Sequence, residues 1–434
     1  MFINRNFALL WSGQAISIIG DFVFNTTLVI WIVVQVAKGQ SWAPLAVGGA
    51  LLLSSLPSIV LGPLAGVFVD RWEKRRTMLA MDALRCAMIA CLLLTSLTAL
   101  SPAWQLGMIY ITVFVVNTCD QFFRPAMLTL IGDIVEEPQQ ARAMGLGQAS
   151  ISLATIIGPP LAPPLLLAFG VQWALLLNAL SFVVSFITIM AIQVPCLPEG
   201  ATSRQTAGLV QEFSAGLRFL LSSRILVTLI VSTMIAMLGA GVIYTLDVFF
   251  VTQNLHTPVA LYGTLDAVLG IGATVGAILA AVFAQRIGLT RTIWCSTLAL
   301  GVLVVIYARL TGFLPAAVLL FVMGVPLAAL DVAARPLILQ MTPREMVGRV
   351  SSLVSPLSML AFMMATGVAG YLDGVTLHNF HALVWGMTFG PVDTLFTASG
   401  VLIFIGGVYA MIGLRDSKAT VPQMSAVPVA QEMR

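Results

Sequence analysis

The chain has 434 residues, of which 59% are hydrophobic and 9% charged, against roughly 25% charged in soluble domains, so water is excluded as its main solvent. The formal net charge of +3 calls for no nucleic-acid surface. Three histidines, with no nucleophile motif and no nucleotide-binding loop, leave little chemistry for an enzyme beyond proton transfer.

Apolar runs of about 20 residues, each long enough to cross roughly 30 Å of hydrocarbon, recur from end to end. They predict an all-α integral membrane protein with twelve transmembrane helices. Six lie near 7–35, 44–69, 77–100, 104–124, 144–168 and 172–194, and six near 225–250, 261–284, 292–312, 314–334, 350–372 and 393–414. Continuous apolar stretches such as Leu51–Leu61 lack the alternation of a transmembrane barrel.

The first run follows one charge, spans about 29 residues and lacks a small-residue cleavage site, so it reads as a retained span rather than a signal peptide. Gln14, Ser17, Asp21 and Asn25 recur every three or four residues and form one polar stripe. Asp21 falls near mid-bilayer, where an acid costs about 2.5–3.5 kcal/mol and therefore needs a partner or a task. A structural hydrogen bond to a neighbouring span is one reading; a site that takes and releases a proton is the other. Asn117 and Gln121 on span four are expected to join this stripe in lining a cavity.

Between spans two and three stands Gly62-Pro-Leu-Ala-Gly66-Val-Phe-Val-Asp70-Arg71-Trp-Glu73-Lys74-Arg75-Arg76. Small residues there let helices approach, and an Asp there suits a helix N-terminus. Span four ends in Asp120-x-x-x-Arg124-Pro125 and span ten in Asp331-x-x-x-Arg335-Pro336, an internal repeat. Both pairs have i, i+4 spacing and are expected near the membrane surface. Span five carries the small-residue series Gly145, Ala154, Gly158, Pro159 and Ala162.

A polar interruption at 195–224 separates an N-terminal half (1–194) from a C-terminal half (225–414), with a tail at 415–434 expected to be disordered. In the interruption Leu209, Phe213, Leu217, Leu220 and Leu221 recur at helical spacing and predict an amphipathic surface helix. In span seven Tyr244 and Asp247 share a face. Tyr244 is expected to line the cavity and Asp247 is a second proton-coupling candidate, while Asp247 and Asp266 are placed nearer the outer face, within reach of water. Two six-span halves with a site between them at mid-membrane is a secondary-transporter architecture.

Arg5, Arg71–Arg76, Arg142, Arg204–Arg224, Arg286, Arg291, Arg344, Arg349 and Arg415 fall in every second connection, which puts both termini in the cytoplasm of a multi-pass inner-membrane protein. Lys38 and Arg309 fall on the other side. Five scattered cysteines imply no disulfide framework. His378 and His381 have helical ligand spacing without a third ligand, so no metal site is expected. The twenty methionines suit an adaptable pocket, although lipid-facing or core positions are their more common use.

The Gly62–Arg76 loop resembles the signature loop of the major facilitator superfamily, with Glu73 in place of that motif's second glycine. The span-five series resembles that superfamily's antiporter motif, with Pro163 in place of its last glycine. Leu10-Trp11-x-Gly13-Gln14, Phe123-Arg124-Pro125-Ala126, Asn178-Ala-Leu-Ser-Phe182 and Gly348-Arg349-Val350 are similar to the macrolide-efflux and enterobactin-exporter branch. The resemblance implies alternating access without a bound cofactor, and proton-driven export of a small amphiphile by a monomer surrounded by lipid. It also implies a cytoplasmic gate of Gly66, Asp70, Arg71, Lys74, Arg75, Asp120, Arg124, Asp331 and Arg335, in which Asp70, Lys74 and Asp120 form one charge network. A proton-coupled uptake symporter and a lipid flippase use the same fold and are the alternatives.

Overall fold

The computed structural model describes residues 3–98, 100–193, 217–343, 346–378, 380, 382–384 and 387–415. The helices are α1 (Arg5–Trp31), α2 (Ala43–Val60), α3 (Gly62–Arg71), α4 (Lys74–Ser96), α5 (Pro102–Ile134), α6 (Glu137–Pro164), α7 (Val171–Met190), α8 (217–222), α9 (Arg224–Phe249), α10 (Tyr262–Ile287), α11 (Leu289–Tyr307), α12 (Phe313–Met341), α13 (Val347–Tyr371) and α14 (Pro391–Arg415). Twelve segments among the described residues are long and apolar enough to cross a membrane.

Three boundaries differ from the sequence expectation. The run at 44–69 is two helices: α2 ends at Val60 with Leu61 as its cap, and α3 starts at Gly62 with Pro63 in its first turn, where a missing amide proton costs no helical bond. Spans four and ten run on to Ile134 and Met341, well past the charges that end their apolar windows. The chain also contains a short antiparallel hairpin, β1 (Ala382–Val384) with β2 (Met387–Phe389), in the connection before α14.

Local chemistry sets the first helix. Asn4 caps α1 by accepting from the Phe7 amide at 2.7 Å, satisfying one of its orphan donors. Its own amide donates to the Ile134 carbonyl at 2.6 Å, which ties the start of α1 to the end of α5. In the linker, Leu217 and Leu220 of α8 pack with Ile230 and Leu353, whereas Leu221 is exposed. Leu209 and Phe213 lie outside the described residues, as do 194–216 and 416–434.

Leu97, Ile278, Leu314 and Met364 are each more than 60% exposed. In water such a surface would be an aggregation liability; in a bilayer it is the lipid-facing wall.

An even number of spans puts Arg5 and Arg415 on one face, together with Arg71, Lys74–Arg76, Arg142, Arg286 and Arg291 at the helix ends. The apolar core differs at the two faces. Away from the chain ends, one buried cluster runs across both halves, from Ile30, Ile32 and Val47 to Phe250, Tyr307 and Phe396. At the basic face it divides into two, one built on Phe7, Met78 and Phe123 and the other on Leu229, Ile293 and Ala333.

The helix pairs that join the halves agree with this. A Cβ on Gly370 of α13 would lie 2.8 Å from the Pro44 carbonyl of α2, and one on Gly263 of α10 would overlap the Pro159 carbonyl of α6. Both contacts lie on the far side. Gly66 and Gly145, at the basic face, have nothing within 4 Å of a Cβ. The molecule is sealed on one side and parted on the basic side.

Candidate functional site

A cavity of about 480 Å³ opens among α1, α5 and α6, with Arg85 of α4 at its wall. The α1 stripe lies along it: Gln14, Ser17, Asp21 and Asn25 all line the cavity, as does Asn117 of α5. Phe7, Trp11, Phe22, Phe24, Phe123, Met127 and Met144 supply the apolar wall. Its size and its few convergent polar groups fit a small-molecule site.

Behind the stripe runs a chain of charges. Gln14 Nε2 donates to Ser185 Oγ at 2.8 Å, and Ser185 donates to Asp82 Oδ2 at 2.6 Å. Arg85 lies 3.8 Å from Asp82 and 3.3 Å from Asp120, and Arg124 pairs with the other Asp120 oxygen. The Arg85 guanidinium sits over the Phe123 ring at 4.6 Å and near Phe182 at 5.5 Å. Asp82 and Arg85 are 1% and 3% exposed. Asp82 Oδ1 and Arg85 Nε have no hydrogen-bond partner among the described residues. Buried ion pairs give little net stability over apolar replacements, so so many charges in a half-satisfied network point to a use other than holding the fold.

Asp21 stands apart. Its carboxyl makes no hydrogen bond to the described residues, yet it feels Arg85, Asp120, Asp82 and Arg124 electrostatically. The group comprises three carboxylates and two guanidiniums.

Asp82 and Arg85 are the residues that the sequence reading missed. The available signal was an Asp and an Arg three residues apart inside an apolar span, the same intramembrane-charge argument that singled out Asp21.

The described residues of the expected gate make the following contacts. Asp120 bonds Arg85 and Arg124 rather than Lys74. Lys74, at the start of α4, lies instead within electrostatic reach of Asp133. Arg75 donates to the Ile189 and Met190 carbonyls, capping α7 within its own half. Arg71 is exposed, and the Asp70 side chain lies outside the described residues. Asp331 and Arg335 are exposed on α12 and interact without a direct ion pair.

Gln121 and Tyr244 are not in the wall of this cavity. Gln121 turns its amide back to the Asn117 carbonyl at 3.4 Å, with its oxygen toward Gly62. Tyr244 is 53% exposed, with its ring 5.9 Å from Phe362. Asp247 is not brought to Asp21 and is not held near water. It is buried and accepts from the Tyr307 hydroxyl at 3.1 Å, beneath the packed rings of Phe250, Tyr307 and Phe396. Arg309 pairs with Asp393 at 3.5 Å and stacks 4.0 Å over Phe389 of the hairpin.

The span-five series does pack. Gly158 lets α6 close on Phe22 of α1, and the Pro159 carbonyl abuts Gly263 of α10. Ala154 and Ala162 are fully buried, the latter against Val23 and Ala174. Gly145 faces open space.

The profile of the family described as "Transmembrane secretion effector" matches residues 2–403. The uncharacterised MFS-type transporter YkuC of Bacillus subtilis strain 168 is 23% identical, with 100% of this chain and 97% of that protein aligned. Macrolide efflux protein A of Streptococcus pyogenes is also 23% identical, over 82% of this chain and 86% of its own. Among solved structures, a bacterial homologue of the iron transporter ferroportin in an inward-facing state superposes with a TM-score of 0.74 at 14% identity, covering 95% of this chain and 100% of that one. That likeness shows the fold. With a family profile spanning most of the sequence and twelve membrane spans around an internal cavity, the chain belongs to the transmembrane secretion effector family of major-facilitator-type membrane transporters.

Proposed function

We propose that the protein exports small amphiphilic molecules in exchange for protons, by alternating access, with its basic face in the cytoplasm. The observation that carries this is the cavity in which an unpartnered Asp21 lies beside the Arg85 network and faces an aromatic and methionine-lined wall. With three carboxylates against two guanidiniums, one positive charge balances the group, and a proton or the cationic head of an amphiphile supplies it equally well. Exchange follows from that competition. Substrate entering from the open basic face displaces the proton, and reprotonation from the other side releases the substrate.

The sidedness rests on Lys and Arg placement. The relative named as a macrolide efflux protein supports export over uptake. In this reading segments 1–194 and 225–414 are the two moving halves, 195–224 tethers them, and the protein works as a monomer.

The test is a growth-inhibition panel of amphiphilic compounds on cells expressing the protein, its Asp21→Asn variant, or neither. The expected result is resistance to some compounds with the wild type and its loss with the variant at equal expression. Resistance that survives Asp21→Asn refutes the assignment of Asp21.

A further inference from the structure

On the face opposite the chain ends, a second cavity of about 430 Å³ lies at the seal between the halves. The corner between α1 and α2 contributes Gln40, Ser41 and Pro44, and the last six spans contribute Phe249, Gln253 and Asp373. The two sides touch beside it, since a Cβ on Gly374 would lie 3.1 Å from the Ser41 carbonyl.

Asp373 sits in the π-helical turn Leu372–Thr376 that ends α13 and is only 7% exposed. Among the described residues its carboxyl meets no hydrogen-bond donor and no cation. Among the described residues no Lys or Arg lines the cavity, and the other titratable group in its wall is His378, whose Nδ1 is 3.0 Å from the Val375 carbonyl. A carboxylate this buried is costly to leave unpaired. The surrounding groups suit a positive ligand. The amide oxygens of Gln40 and Gln253 supply acceptors, and Phe249 supplies an aromatic wall of the kind that attracts cations. The space falls in the range of small-ligand pockets.

We propose that this cavity is a binding site for a small organic cation of the ammonium class, with Asp373 as its counter-ion. The site is separate from the Asp21 cavity and does not depend on the proposed proton exchange. Because its wall comes from both halves, an occupant bridges them and holds this side shut. A cation bound there slows turnover from the release side.

The experiment titrates tetramethylammonium chloride into the full-length protein in detergent by calorimetry, against sodium chloride at equal ionic strength. Wild type, Asp373→Asn, Asp373→Glu and Asp21→Asn are compared, each checked by its melting curve. The expected result is one saturable site that weakens at least tenfold in Asp373→Asn, is retained in Asp373→Glu, and is unchanged in Asp21→Asn. Three outcomes overturn the proposal: no saturable binding to the wild type, unaltered binding to a folded Asp373→Asn, or loss in Asp21→Asn alone, which places the cation in the other cavity.

Discussion

Replacing Arg85 with alanine tests the buried network most severely. Arg85 is the only cation within 4 Å of Asp82 among the described residues, and their side chains are 4% and 0% exposed. At an effective dielectric constant of about 20, the 3.8 Å and 3.3 Å separations correspond to gross attractions of about 4 and 5 kcal/mol, much of it offset by desolvation. Removing one partner of such a pair costs about 3–5 kcal/mol, because the remaining charge stays buried and uncompensated. At roughly 2 °C per kcal/mol, the apparent melting temperature in detergent should fall by about 6–10 °C. The double variant Asp82→Leu/Arg85→Met replaces both charges with apolar volume and should recover most of that loss. It should not recover transport, because the cavity then lacks its buried guanidinium and keeps only Arg124. A single variant that melts within 2 °C of wild type, or a double variant that transports normally, refutes the reasoning.

Other expectations follow from named contacts. Gly263→Val places a side chain against the Pro159 carbonyl, and overpacking of about 1–3 kcal/mol should open the sealed face; labelling of Asn25→Cys, an exposed position in the cavity wall, from the basic face should slow roughly tenfold. Tyr307→Phe removes the hydrogen bond of buried Asp247 and should cost about 1–3 kcal/mol, read by thermal unfolding, with little further loss when combined with Asp247→Asn. Arg309→Ala frees the hairpin from α14 by deleting both the Asp393 pair and the stack on Phe389. Limited proteolysis within 382–389 should then be faster, and the melting temperature should fall as well, because Asp393 stays buried without its cation.

The twelve spans and the polar stripe of α1 were legible because each is a local pattern. Apolar length sets a span, and spacings of three or four residues set a face. Legibility stopped where distant elements meet. Nothing local tells that Ser185 of α7 bridges Gln14 to Asp82, or that Tyr307 reaches Asp247. Hydropathy also misled in one consistent way. The charges at Asp120 and Arg124 close the apolar window of span four, whereas the helix continues to Ile134, with Asp120 paired to buried Arg85 and to exposed Arg124. The same habit hid Asp82 and Arg85, which lie in an apolar run whose average tolerates them. Gln121 turns from the cavity around Asp21 because a helix carries several polar faces, and the packing of the other helices decides which one meets it.

The central claim is that a proton and the substrate compete for the cavity around Asp21. Its most direct test loads everted vesicles with a pH-sensitive dye and follows proton movement as a resisted compound is added after energisation. The account predicts proton efflux with substrate entry for the wild type and neither for Asp21→Asn. Substrate entry with no proton movement, or coupled movement that persists in Asp21→Asn, would contradict it.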